Sequence, residues 1–229
     1  MTAPTAATGP GAALIPLPLL LLSAIPLTAG ALRLVQLAGG PDTIPADDRF
    51  NGVPIALVVH IVGAAVYALV GAFQFAPVFR RQHLTWHRRI GRALAVVGML
   101  VVGSALWLTL FYPPQPGTGA LLFAFRLVVV AATATSLVLG VAAVRRRDIA
   151  AHRAWMIRAY ALSLGAGTQV FTEAAGSAIF GAGVVAGDIA KGAAWAINLA
   201  VAEWVIRRPT CGRADTAQSH PTRNAGVTS

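Results

Sequence analysis

Sulfur and acid are both scarce in this chain. The single cysteine, Cys211, rules out an intrachain disulfide framework. Only 8 residues are acidic against 18 Lys and Arg, and 11% of positions carry a charge, too few for an ordinary soluble surface. The sequence has no nucleophile elbow, phosphate-binding glycine loop, thiol cluster or paired-carboxylate motif, so hydrolytic and nucleotide-driven chemistry lack a signature. No motif decides whether the chain is an enzyme.

What is abundant is apolar. A hydrophobic fraction of 56% and a mean hydropathy of +0.69 indicate a polytopic membrane protein. The net charge of +10 does not point to nucleic acid, because the cations sit in short turns between apolar runs.

Six runs are long enough to cross a bilayer: residues 14–38, 54–79, 93–111, 120–144, 159–180 and 188–206. Pro26 is expected to kink the first. Residues 1–13 lack the cationic start of a signal peptide, so the first run is expected to be retained behind a flexible N-terminus. Residues 207–229 are polar and expected to form a disordered cytoplasmic tail. Arg80, Arg81, Arg88, Arg89 and Arg92 fill the turn after the second run, and Arg145, Arg146, Arg147, Arg153 and Arg158 the turn after the fourth. Arg207 and Arg208 close the sixth, while the alternate loops carry few cations. By the positive-inside rule the basic turns and both termini are cytoplasmic. The expected fold is an all-α bundle of six transmembrane helices spanning residues 14–206 in the plasma membrane, tightened by small residues such as Gly63, Gly71, Gly98 and Gly140.

Two constellations stand out. His60, Tyr67 and Gln74 recur every seven residues and share a helix face. His60, Arg126 and Glu173 fall at one depth on three helices, about 9 Å below the outer end. We expect Arg126 to pair with Glu173, with His60 hydrogen-bonded to the pair and Gln169 on the face of Glu173. Asp188, Lys191, Trp195 and Asn198 would extend this polar wall. The functional reading is a cavity open to the outside, for an anion, a quinone, a proton relay or a cofactor. The competing reading is an ion pair that fixes helix register.

The second constellation is cytoplasmic: His83, His87, Arg88, Arg92, His152, Arg153 and Arg158. His83 and His87 are four apart, but no acidic or thiol ligand accompanies them, which disfavours zinc. His87 and His152 converging from two turns would suit a b-type haem. Beside Trp86 and Trp155, the same residues also read as anchors for anionic lipid headgroups. His60 and His87 are too far apart along the chain, about 40 Å on a continuous helix, to share one iron.

The motifs HIVGAAVYALVGAFQF from His60, HRRIGR from His87 and HRAWMIRAYAL from His152 resemble those of a bacterial predicted-membrane-protein family, domain of unknown function 2306. The resemblance runs over residues 54–164. It implies the membrane fold and singles out His60, Gly71, Phe73, Gln74, Phe75, His87, Arg88, Gly91, Arg92, His152, Arg153, Trp155, Met156 and Arg158, and it implies no reaction. Three functions stay open: a haem- or quinone-linked electron-transfer protein, a small-solute or proton-coupled transporter, and a non-catalytic membrane scaffold.

Overall fold

The computed structural model describes residues 16–45, 47–50 and 54–208. The expected flexible N-terminus, nearly all of the expected tail and Cys211 lie outside those residues. Among the described residues there are eight α-helices, one 3₁₀ turn at Asp48–Phe50 and no strand. The helices are α1 (Pro16–Leu37), α2 (Ile55–Gln74), α3 (Pro77–Gln82), α4 (Leu84–Phe111), α5 (Ala120–Arg145), α6 (Ile149–Ser163), α7 (Gly165–Phe180) and α8 (Val184–Arg207). Five of them, α1, α2, α4, α5 and α8, are long and apolar enough to cross a membrane.

The elements depart from the sequence expectation in three places, each for a local reason. The second run does not reach residue 79 as one helix. Pro77 cannot continue the helix of Gln74, because it lacks an N–H, but it suits the first position of a new one. The third begins at Leu84, not residue 93, since no proline separates the basic segment from the apolar one and Arg is a good helix former. His87, Arg88 and Arg92 therefore ride on α4 itself. The fifth begins at Ile149, not residue 159, because the Asp148 carboxylate caps α6 by accepting from the Ala151 N–H at 2.9 Å. It then breaks at Leu164 into α6 and α7.

The break is held from two sides. Asn198 of α8 donates from Nδ2 to the Ala161 carbonyl at 3.0 Å and accepts from Thr168 Oγ1 at 2.7 Å, so one amide ties the end of α6 to the start of α7. A side chain at Gly165 would collide with the Trp195 indole, and one at Gly167 with the Leu22 carbonyl of α1. That carbonyl is the one Pro26 cannot serve, because an i→i−4 bond needs the N–H that proline lacks.

Helices α1, α2, α4, α5, α8 and α7 touch in a closed circuit, and α6 packs against α2, α5, α7 and α8. The exterior is bulky and apolar: Leu21 is 65% exposed, Val128 65% and Phe180 76%, as a lipid-facing surface requires. The interior is smaller, with Ala72, Ala159 and Ala194 fully buried. Small residues let helices approach closely where the hydrophobic effect does not drive their association. Among the bulkiest side chains in this core is Tyr160. Its ring lies on Gly71, 5.8 Å from Tyr67 and 4.9 Å from Phe75, and its hydroxyl donates to the Ala68 carbonyl at 2.7 Å.

Two substitutions separate these contributions. Tyr160→Phe, which keeps the ring, should lower stability by about 0.5–1.5 kcal/mol. Gly71→Leu, which displaces the ring, should cost more, about 1–3 kcal/mol. Thermal unfolding in detergent reads both, and the opposite order would show that the hydroxyl rather than the ring's seat joins α2 to α6.

Candidate functional site

Where α6 ends, the middle of the bundle opens. A cavity of about 720 Å³ lies there, walled by α2, α4, α5, the end of α6, α7 and α8 and roofed by the loops that carry Arg49 and Tyr112. Four residues of the expected intramembrane site line it: His60, Tyr67, Arg126 and Gln169. Its remaining wall is largely apolar, including Val102, Leu108, Leu122 and Phe123.

His60 reaches from α2 to α4. Its Nδ1 is 3.2 Å from Ser104 Oγ and 3.3 Å from the Val101 carbonyl, while the Ser104 hydroxyl donates to that carbonyl at 2.9 Å. A carbonyl only accepts, so the arrangement that uses both protons places the imidazole hydrogen on Nδ1. The Nε2 of the neutral ring is then a free acceptor.

Arg126 does not pair with Glu173, which corrects the sequence expectation. Glu173 binds Lys191 of α8 at 2.9 Å and lines a separate cleft of about 120 Å³ between α7 and α8. Equal depth on two helices does not set which way each side chain turns, and α7 turns Glu173 toward α8. Arg126 makes no hydrogen bond or ion pair with any described residue. Its charged neighbours are Arg49 and Asp188. Arg49 is already held by Asp47, through bonds of 2.5 and 2.7 Å, and it lies over Phe50. That grip of the Arg49 side chain holds the Asp47 carboxyl below the usual carboxylate range.

Asp188 is not part of a wall around Glu173. It is 1% exposed and accepts from the Gly119 N–H at 3.0 Å and the Leu122 N–H at 3.0 Å. It thus caps α5 from α8, in place of the capping side chain that Gly119 lacks. Gln169 donates to the Lys191 carbonyl at 3.3 Å. Trp195 lines the cavity, and Asn198 serves the helix break.

Gln74 belongs to the other end of the bundle. Both atoms of its amide are buried without a hydrogen-bond partner among the described residues, as is His87 Nδ1. Gly91, one turn beyond His87 on α4, lies beneath the Gln74 amide oxygen. His152 donates from Nδ1 to the Gly140 carbonyl at 2.8 Å and lies within electrostatic reach of His87. Arg88 and Arg153 are exposed, and Arg92 bonds the Arg88 carbonyl at 3.3 Å. Arg158 forks onto Glu203 at 2.5 and 3.1 Å and stacks on Trp155. Sequence reasoning missed Glu203, although an acidic residue inside an apolar helix was signal enough to seek its cation. Among the described residues no three His, Cys, Asp or Glu side chains gather to hold a metal ion.

The sequence model of a family described as a predicted membrane protein, DUF2306, matches residues 57–206. The chain belongs to that family. The DUF2306 match runs from the start of α2 to the end of α8, so it takes in the cavity and the histidines of the opposite end. No curated protein and no solved structure matches the chain.

The trans cap makes a direct prediction. Asp188→Ala leaves two N–H groups of α5 without an acceptor and should cost about 1–3 kcal/mol. Asp188→Asn keeps one acceptor oxygen and should lose less. An alanine variant as stable as the parent, by thermal unfolding, would remove the cap from the account.

Proposed function

We propose that this DUF2306 member is a six-pass plasma-membrane protein that takes a small amphipathic molecule into the cavity, with an oxygen-bearing head at Arg126 and an apolar body against the α4 and α5 walls. The six passes count α6 and α7 as one broken pass, with both termini and the arginine-rich turns on the cytoplasmic side. One observation carries the reading. Arg126, a cation that makes no ion pair with any described residue, stands in a mostly apolar cavity among helices long and apolar enough to cross a membrane. An unpaired charge there is costly, and a ligand oxygen relieves that cost. A quinone-type molecule has this build, which favours the electron-transfer reading over the scaffold.

Solute transport is the second reading, favoured by the helix break beside the cavity. Broken helices line the substrate sites of many transporters. Transport needs the cavity to open at the basic end as well, where Tyr67, Tyr160 and Leu137 are packed shut.

Ligand binding is tested with the purified protein in nanodiscs. A decyl-substituted benzoquinone or decanoate, at about one hundred times its dissociation constant, should stabilise the protein by about 2.7 kcal/mol. Arg126→Leu should abolish the shift. If neither these compounds nor the corresponding quinol shifts the melting temperature of the parent protein, the cavity is not a site for such molecules.

Orientation and passage are tested together by single cysteines in a Cys211→Ser background. In intact cells an impermeant thiol reagent should reach position 115 and spare positions 89 and 146. A cysteine at Ala64, inside the cavity, should react from the outer side alone. Labelling of positions 89 and 146 from opposite sides would overturn the six passes, and labelling of position 64 from both sides would favour the transporter.

A further inference from the structure

We infer that the head group preferred by the cavity is hydroxylated: a quinol rather than a quinone or a carboxylate. This rests on the cavity being a ligand site, and it follows from which polar atoms in the wall are still free.

Most of the hydroxyl protons around the cavity are already given to backbone carbonyls, as is one Gln169 amide hydrogen. Thr109 donates to Ala105 at 2.7 Å, Thr133 to Val129 at 2.7 Å, and Ser163 to Ala159 at 2.9 Å. Tyr160 donates to Ala68 and Gln169 to Lys191. Each of the three short hydroxyls keeps lone pairs that can only accept further bonds. His60 adds another acceptor, since its Nδ1 hydrogen is committed to α4 and its Nε2 has no partner among the described residues. The Tyr67 hydroxyl can turn either way and does not discriminate. Against these acceptors stands the Arg126 guanidinium, the one cationic donor of the described lining without a hydrogen bond or ion pair; Trp195 Nε1–H and the Gln115 amide are neutral donors beside it.

The wall therefore sets cationic donors at Arg126 on α5 against a nitrogen lone pair at His60 on α2. A quinone or a carboxylate only accepts. Its oxygens suit Arg126, a carboxylate's as a bidentate pair, but with no hydrogen to give it leaves the His60 nitrogen unmet. A quinol oxygen can accept from Arg126 while an O–H donates to His60 Nε2. A site that hydrogen-bonds a hydroxyl rejects the analogue lacking it, because its own buried group is left without a partner.

The test uses the full chain in nanodiscs and three probes of matched tail: a decyl-substituted benzoquinol, its dimethyl ether and the parent quinone, with decanoate as the anionic control. The quinol, titrated without oxygen, should bind about tenfold or more tightly than the quinone and the ether, the difference expected of one buried hydrogen bond. His60→Leu should bring that ratio to about one while quinone binding persists, and Arg126→Gln should weaken all of them. If His60→Leu does not fold, the ratio measured on the parent protein decides. Quinone, ether or decanoate binding as tightly as the quinol overturns this inference and leaves the cavity reading standing. Binding of none of them overturns both.

Discussion

A bilayer interior has no water to satisfy a backbone group that a helix end or a proline sets free, so the protein must supply the partner itself. This constraint recurs throughout the bundle. Asn198 serves the Ala161 carbonyl where α6 stops. Asp188 serves the first N–H groups of α5. Pro26 frees the Leu22 carbonyl, and Gly167 of α7 is seated against it, close enough for a Cα–H contact. Each of these repairs joins two helices, so the need to satisfy the backbone also fixes which helices are neighbours.

The cavity follows from the same repairs. Because α6 packs inside the circuit of the other helices, it fills the middle of the bundle at the basic end. At Leu164 the chain leaves that position and continues as α7, packed on α1 and α8. A side chain at Gly165 or Gly167 would push α7 off Trp195 and Leu22, so these glycines let it move aside far enough to open the centre. Below the opening, Tyr160 on Gly71 closes the floor.

Much of this was legible in the sequence. Apolar run lengths located the five long apolar helices, and His60 and Arg126, expected at one depth, both line one cavity. The family was legible too, because its motifs fall on α2, α4 and α6. Depth along a helix is set by residue count, at about 1.5 Å each. Rotation about its axis depends on packing partners that are not yet known, and that is why Glu173 was assigned to Arg126 and turned instead to Lys191. The break at Leu164 was hidden for a related reason. No proline marks it, and Gly165 and Gly167 read equally well as residues for close packing. Its signal lay elsewhere, in Asn198, a polar side chain in an apolar helix that had to be bonding something.

The electrostatics of the mouth explain why Arg126 remains available. Asp188 is the nearest buried carboxylate, but its oxygens are turned to the α5 backbone. The start of a helix carries about half a positive charge, so Asp188 faces that end and Arg126 together and fully neutralises neither. Asp47 is likewise bound to Arg49 rather than to the cavity. Among the described residues the carboxylates of Asp47 and Asp188 near the mouth are both engaged, which leaves the guanidinium as the positive pole of the space. Opposite it, Ser104 and Val101 engage the His60 Nδ1, and the tautomer that satisfies both leaves Nε2 as an acceptor. The cavity thus sets a cation opposite a histidine nitrogen through backbone repairs made for other reasons, and the proposed hydroxylated ligand rests on that opposition.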